Sequence, residues 1–191
     1  MITLLGAGGA FVATEAPPPP SGDTVFYAYY DRIAPAQNKY LATLFNTSAT
    51  RKVTIRRIEW LTGNLTAVTG VVHDLYLARI TARTVGTSVT IRARDSNDSL
   101  SAGITADTGS TGVTEAYISR RFIGSSEEAP VTTTALNTYG NRQAIRVYEF
   151  LEQTGMKAET LRQNQGISIR SLTASTVGVL SFYIEFVDEP A

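Results

Sequence analysis

Hydrophobic and polar positions alternate most regularly near the end of the chain, over residues 177–187. One parity is wholly apolar and consists of Leu180, Phe182, Ile184 and Phe186. The other parity is mixed and consists of Val179, Ser181, Tyr183 and Glu185. Strict alternation with a period of two marks a β-strand with one buried face. We therefore predict a strand deep in a sheet, whose apolar side fills the core. The mixed side is either covered by a neighbouring molecule or left as ordinary surface.

A shorter strand pattern, Gly166 to Ser171, comes just before this strand, and the polar residues Thr173 to Thr176 separate the two. Two strand patterns joined by a short polar segment are typical of a β-hairpin. We therefore expect the chain to close with a hairpin.

Further strand patterns run along the chain, over residues 24–30, 39–45, 51–60, 71–83, 88–94 and 142–151. The apolar parity of one of them flips at Arg56 and Arg57, which predicts a β-bulge. The segments 71–83 and 88–94 are predicted to pair as a hairpin across residues 84–87. The one helix-like stretch, residues 153–163, is short and amounts to a turn or two.

These elements predict an all-β fold, an antiparallel β-sandwich that is jelly-roll-like, with roughly eight to ten strands. Residues 24–191 form the single sandwich domain, with long loops over 95–143 that are rich in Thr, Gly, Ser and Asn. Residues 1–23 form an extended Gly/Pro-rich arm, because the four prolines at 17–20 favour polyproline geometry. The apolar side chains of the arm need cover, so we expect the arm to lie on a neighbouring subunit. Its candidate interface residues are Leu4, Leu5, Phe11 and Val12.

The composition of the chain excludes some kinds of site and argues against some kinds of partner. The chain has no cysteine, so disulfides and thiolate metal sites are excluded. It has 17 basic and 17 acidic residues, which argues against a generally cationic nucleic-acid binder. No apolar run approaches the roughly 20 residues of a membrane-spanning helix. We therefore expect neither nucleic acid nor membrane as a partner.

Arginine greatly outnumbers lysine, and many arginines lie in predicted strands. Arginine is favoured where planar cations are buried at interfaces, although a lineage bias in composition gives the same excess. If the strands are neighbours, these residues form a basic stripe that pairs with acidic groups within or between subunits. The candidate interface residues are Arg56, Arg57, Arg79, Arg92 and Arg94.

Candidate chemistry is sparse, and we expect neither an enzyme nor a bound cofactor. His73 is the single histidine, and a lone strand histidine is predicted to be a surface or edge residue rather than a ligand. No Gly-x-Ser-x-Gly motif supports a nucleophile. The segment Asp95 to Asp98, with Asp107 beyond it, is interpreted as a polar turn; a calcium loop is the alternative, but it lacks the glycine and acidic positions of an EF-hand.

Two segments resemble parts of small β-sandwich structural proteins of tailed bacteriophages: Gln165 to Phe186 at the C-terminal end, and Leu44 to Ile58 where the sandwich begins. The start, Met1 to Gly9, also resembles phage structural genes. The resemblance implies a virion component, a head decoration or minor capsid protein that forms a homotrimer on the shell. Its partners would be the major capsid protein and its own copies, with assembly in the host cytoplasm. The family has no catalytic residues to transfer.

Three functions stay open from the sequence. The first is the decoration protein, which binds and stabilises the head shell. The second is a receptor- or glycan-binding module of a tail fibre or baseplate, using exposed aromatic residues: Tyr29, Tyr30, Tyr117 and Tyr139. The third is a glycan-cleaving sandwich enzyme with two carboxylates facing one cleft.

Overall fold

The structure is a computed structural model that describes residues 24–62, 72–125, 144–149, 158–174 and 176–191. These residues form strands and no helix. The strands are β1 Val25–Ile33, β2 Tyr40–Asn46, β3 Arg51–Thr62, β4 Val72–Thr84, β5 Thr87–Val89, β6 Ile91–Ala93, β7 Ile104–Thr108, β8 Thr111–Ser125, β9 Ala144–Glu149, β10 Thr160–Leu161, β11 Gln165–Ser171 and β12 Leu180–Pro190. A search of the described ranges for a long apolar helix that could cross a membrane finds none.

Two antiparallel sheets face each other, so the prediction of an all-β antiparallel sandwich is confirmed. Sheet A has the order β10-β3-β12-β1-β6, and β9 also pairs with β3. Sheet B has the order β5-β7-β2-β11-β4-β8. One apolar cluster with residues from both sheets fills the space between them.

The prediction for the last strand is also confirmed. Strand β12 lies between β1 and β3 in the middle of sheet A. All four members of its apolar parity are fully buried: Leu180, Phe182, Ile184 and Phe186. Complete burial of such a side chain contributes about 1.5–3 kcal/mol, so this strand is a major source of core stability.

The predicted closing hairpin is wrong. Strand β11 pairs with β2 and β4 in sheet B, whereas β12 pairs with β1 and β3 in sheet A. The segment between the two strands therefore crosses from one sheet to the other. It begins at Leu172, whose N–H donates to the carbonyl of Asp74 in sheet B. A polar connection of this length suits either geometry, and the two strands already have both edges occupied by other partners.

The predicted β-bulge in β3 is confirmed. Glu185 of β12 pairs with Arg57, and the next residue, Phe186, pairs with Ile55. Arg56 and Arg57 therefore lie opposite a single position of β12, which is the pattern of a bulge. The bulge lets the apolar residues on both sides of it face the core despite their change of parity: Val53, Ile55, Ile58 and Trp60.

Residues 72–89 and 104–125 form a long two-stranded ribbon, which corrects two predictions. Strands β4 and β5 pair antiparallel with β8 and β7, from Val72 opposite Ser125 to Val89 opposite Ala106. The hairpin between 71–83 and 88–94 is therefore wrong, because β4 pairs with β8 and β11 instead. The expectation of long loops over 95–143 is wrong for β7 and β8. Their many Thr, Gly and Ser residues resemble loop composition, yet Thr also suits a pleated surface.

The ribbon bends over the outer face of sheet B. Its register shifts four times between Leu77 and Thr84, and such irregularities bend and twist a strand pair. As a result Glu115 of β8 accepts a hydrogen bond from Tyr40 of the distant strand β2 at 2.8 Å, and one from Tyr76 at 3.0 Å. Burial, together with the hydrogen bond to Glu115, raises the pKa of Tyr40 to about 12.

A second, smaller core lies under this bend. It contains Phe45, Tyr76, Ala78 and Ile80, which face away from the main core. Beside it Arg83 contacts Asp107 at 2.5 Å, and both side chains are almost fully buried. The pair is a close charge contact rather than an aligned hydrogen bond. Asp107 also accepts hydrogen bonds from the Ser110 hydroxyl and from the backbone N–H of Gly86. A charged pair therefore joins β4 and β7, two parts of the ribbon that lie near opposite edges of sheet B.

Two smaller predictions are also corrected. Thr160 and Leu161 form strand β10 rather than part of a helix; residues 153–157 of that predicted stretch lie outside the described residues. His73 is fully buried, and its ring meets that of Trp60 edge-on with the centroids 6.0 Å apart. It is a core residue because β4 carries it on the inner face.

The burial of His73 predicts a pH dependence of stability. Burial lowers the pKa of His73, whereas an unfolded histidine titrates near 6.5. The unfolded chain therefore binds a proton more readily, and stability falls as pH drops below about 6.5 towards the lower folded pKa. We expect urea unfolding to show a lower stability at pH 5.5 than at pH 7.5, and His73→Leu to reduce that difference. An equal loss in the variant would assign the dependence to other groups.

Candidate functional site

The outer face of sheet A carries a ladder of aromatic and charged side chains. Cross-strand pairing places Arg92, Tyr27, Glu185 and Arg57 in one row across four strands. In the next row Tyr29 pairs with Tyr183, which pairs with Glu59. Neighbouring positions on one sheet face lie within side-chain reach. The mixed parity of β12 is thus the middle of a continuous polar surface.

Glu185 is the acceptor at the centre of this surface. Its Oε2 atom receives hydrogen bonds from Arg94 at 2.9 Å, from the Tyr183 hydroxyl at 2.9 Å and from Arg57 at 3.2 Å. The Arg57 guanidinium also lies 5.1 Å from the centre of the Tyr183 ring. Burial, then the hydrogen bond to Glu185, raises the pKa of Tyr183. The cluster is therefore held rigidly, with the phenol protonated at neutral pH.

An open pocket of about 470 Å³ lies beside this cluster. We call it the tyrosine pocket; its lining residues are Tyr27, Tyr29, Thr90, Arg92 and Tyr183. The rings of Tyr27 and Tyr183 stack with their centres 5.5 Å apart and their planes at 25°. Tyr29 is 45% exposed. The pocket thus presents aromatic surface and phenol groups on a rigid sheet.

Arg92 differs from the other arginines of this face. The side chains of Arg57 and Arg94 share the carboxylate of Glu185. Within the described part of the chain, the guanidinium of Arg92 makes no ion pair or hydrogen bond. Its positive charge is therefore available at the edge of the pocket.

Of the five predicted interface arginines, the structure brings three together, places one at the bulge of β3 and places one in sheet B. Arg57, Arg92 and Arg94 converge on the outer face of sheet A. Arg56 lies at the bulge of β3 and is half-buried. Arg79 lies in sheet B, where it is buried against Glu159 at 3.0 Å. The arm residues of the prediction lie outside the described residues: Leu4, Leu5, Phe11 and Val12.

The expected pairing of strand arginines with acidic groups occurs within the chain. Arg51 binds Asp188 at 2.7 Å, and Arg83, Arg79, Arg57 and Arg94 bind the acidic partners named above. These charges tie strands together instead of forming one continuous basic stripe.

A second exposed surface lies at the edge of sheet B. Strand β8 ends the sheet, and no strand within the described residues pairs with its outer edge. Three large side chains there are more than half exposed: Tyr117 at 54%, Ile118 at 56% and Ile123 at 62%. Register places Ile118 and Ile123 on the same face, opposite Ala78 and Asp74. We call this surface the ribbon edge.

The aromatic residues proposed for ligand binding divide into three groups. Tyr29 and Tyr117 are exposed, as predicted. Tyr30 is fully buried, with its hydroxyl donating to the Thr43 carbonyl at 2.7 Å, so its prediction is wrong. Its alternation with Tyr29 along β1 is the reason, since successive residues face opposite sides. Tyr139 lies outside the described residues.

Sequence reasoning missed three residues of the tyrosine pocket: Tyr27, Thr90 and Tyr183. The parity of Tyr183 placed it opposite the core side chains of β12, and Tyr27 has the same parity as Tyr29. That signal was sufficient to find an aromatic face. The contribution of Thr90 and Arg92 depends on the pairing of β6 with β1, which no local pattern indicates.

The oxygen-rich segment after β6 does not gather the carboxylates considered for calcium. Asp95 accepts a hydrogen bond from the N–H of Asn97 at 3.0 Å, which is the geometry of a polar turn. Asp107 is instead buried against Arg83. The described residues contain no group of three or more metal-binding side chains.

Comparison of the chain with family models, with curated proteins and with solved structures finds no match. The case for a function therefore depends on the surfaces described above.

Proposed function

We propose that this protein is a non-enzymatic virion structural protein that binds and stabilises the shell of a phage head as a decoration protein. In this proposal it forms a homotrimer, contacts the major capsid protein and assembles in the host cytoplasm. The observation that carries the proposal is the ribbon edge, with Ile118 and Ile123 exposed on β8, the strand that ends sheet B among the described residues.

A long, exposed edge strand that carries large exposed apolar side chains favours assembly. Such an edge presents unpaired backbone groups to any other strand, and natural monomers protect it with charges, prolines or a covering element. β8 has 15 residues, and its exposed isoleucines stand beside an ion pair between Arg121 and Asp74. A neighbouring copy that covers this edge removes apolar surface from water. It also provides hydrogen-bond partners for the backbone N–H and C=O groups of the edge strand.

Binding of a decoration protein works through surface burial. A protein that binds only the expanded shell stabilises that state by mass action. A trimer makes several contacts at once, so individually weak contacts add through effective concentration. The rigid sandwich suits this role because its surfaces lose little conformational entropy when they bind.

The arm provides a separate prediction. Deleting residues 1–20 is expected to weaken shell binding, because the arm is proposed to extend across a neighbour. Thermal unfolding of the sandwich is expected to stay unchanged. Differential scanning calorimetry and co-sedimentation with heads measure the two effects, and unaltered shell binding would contradict the role of the arm.

The experiment that tests the function is binding to emptied, expanded heads of the phage that encodes the protein. We expect saturable, stoichiometric co-sedimentation. Binding only to tails or to host cells would contradict the proposal. It would instead favour the second candidate, a receptor- or glycan-binding module, for which the tyrosine pocket is the supporting observation.

A further inference from the structure

We propose that the tyrosine pocket binds a sugar ring that carries a carboxylate, such as a uronic or sialic acid. The site lies on sheet A, whereas the ribbon edge lies on sheet B. The proposal therefore goes beyond the decoration function and does not depend on it.

The aromatic surface of the pocket favours a flat ligand with weakly polarised C–H groups. Tyr27 stacks on Tyr183 at 5.5 Å, and Arg57 lies 5.1 Å from the centre of the Tyr183 ring. The aromatic platform open to a ligand is therefore formed by Tyr27 and by Tyr29, which lies directly across from Tyr183. The π-face of an aromatic ring is negative and attracts the positive edges of a neighbouring ring. The C–H groups on one side of a pyranose meet such a face in the same way. Phenol and threonine hydroxyls at the rim supply hydrogen bonds for sugar hydroxyls.

The charge distribution selects an acidic sugar. Glu185 and Glu59 together balance the charges of Arg57 and Arg94, whereas Arg92 keeps an available guanidinium at the rim of the pocket. A guanidinium recognises a carboxylate through two parallel hydrogen bonds. Among the described residues, Arg92 is the one available cation beside the aromatic platform, which matches one carboxylate on one ring. A run of acidic peptide side chains would require several such cations.

The volume of the pocket and the strands that hold its side chains in place both suit a ligand of this kind. Its volume of about 470 Å³ lies within the usual range of small-ligand sites, roughly 300–1,000 Å³. Because its tyrosines and Arg92 come from three paired strands and Glu185 holds Tyr183 at 2.9 Å, the platform is formed before the ligand arrives. The open shape leaves room for the neighbouring sugars of an oligosaccharide.

The test uses the purified full-length protein and a panel of uronic- and sialic-acid oligosaccharides, each paired with its neutral counterpart. Binding is measured by titration calorimetry and by ligand-observed NMR at two salt concentrations. We expect binding of at least one acidic oligosaccharide and a loss of about tenfold or more for its neutral partner, the usual size for a charge-assisted hydrogen bond. We expect weaker binding at high salt.

Variants separate this site from general attraction to charge. Arg92→Gln and Tyr29→Ala are each expected to reduce affinity about tenfold or more. The matched controls Arg162→Gln and Tyr117→Ala, which change exposed residues of sheet B and its loops, are expected to leave it unchanged. Absence of binding to every acidic sugar would overturn the proposal. So would equal binding of neutral sugars, equal loss in the controls, or binding of a poly-glutamate peptide through Arg92 without any sugar binding.

Discussion

Replacing Asp107 by alanine is expected to destabilise the protein by about 3–5 kcal/mol, the usual cost of leaving one charge of a buried pair without its partner. Asp107 is fully buried, and its Arg83 partner is 2.5 Å away with a side chain only 3% exposed. The substitution also removes the acceptor of Ser110 and of the Gly86 N–H. Small domains are stable by about 5–15 kcal/mol in total. The loss is therefore a large part of the stability, and it removes the charge contact between β4 and β7.

Urea unfolding of a matched set of variants measures this effect. The control is Asp74→Ala, which breaks the exposed ion pair with Arg121 on the same ribbon; exposed pairs contribute little, so a much smaller change is expected. The double variant Arg83→Met/Asp107→Leu is expected to recover much of the loss, because paired apolar replacements remove the isolated charge. Similar destabilisation by Asp74→Ala and Asp107→Ala would contradict the role of burial.

Placing lysines at Ile118 and Ile123 is expected to abolish self-association without unfolding the sandwich. Both side chains are more than half exposed in the single chain, so the lysines are tolerated in the monomer. In the proposed assembly the same positions are covered, where buried unpaired charges are costly. Lysine on an edge strand is also a common natural guard against strand pairing. Loss of the trimer would in turn weaken shell binding through lost avidity.

Sedimentation velocity and thermal unfolding measure the two halves of this prediction. The wild-type chain is expected to sediment as an oligomer and the Ile118→Lys/Ile123→Lys variant as a monomer with a similar unfolding midpoint. The control Val85→Lys/Val177→Lys adds the same charge at exposed apolar positions away from the ribbon edge. An oligomer that survives at the ribbon edge variant, or dissociates equally in the control, would show that another surface carries the association.

Local patterns in the sequence predicted the parts of this fold that depend on one strand at a time. The alternation over 177–187 identified the buried side of β12, and the parity change at Arg56 and Arg57 identified the bulge. Both follow from the two-residue period of a strand, which needs no knowledge of its partners.

Pairing between distant strands was beyond the reach of those patterns. Strand β8 looked like a loop because its composition is rich in Thr and Gly, and only its register with β4 makes it one half of the ribbon. His73 looked like an edge residue because a lone polar residue gives no sign of which face it occupies. Arg92 lies at the tyrosine pocket because β6 pairs with β1, and a strand of only three residues leaves no clear pattern in the sequence.

A reconstruction of the phage particle is the most direct test of the central claim. We expect density for the sandwich on the outside of the expanded head shell, with the β8 edge and Ile118 against a neighbouring copy. Density at the tail or baseplate would contradict the decoration function. Density on the shell with the β8 edge facing solvent would contradict the role of the ribbon edge in assembly.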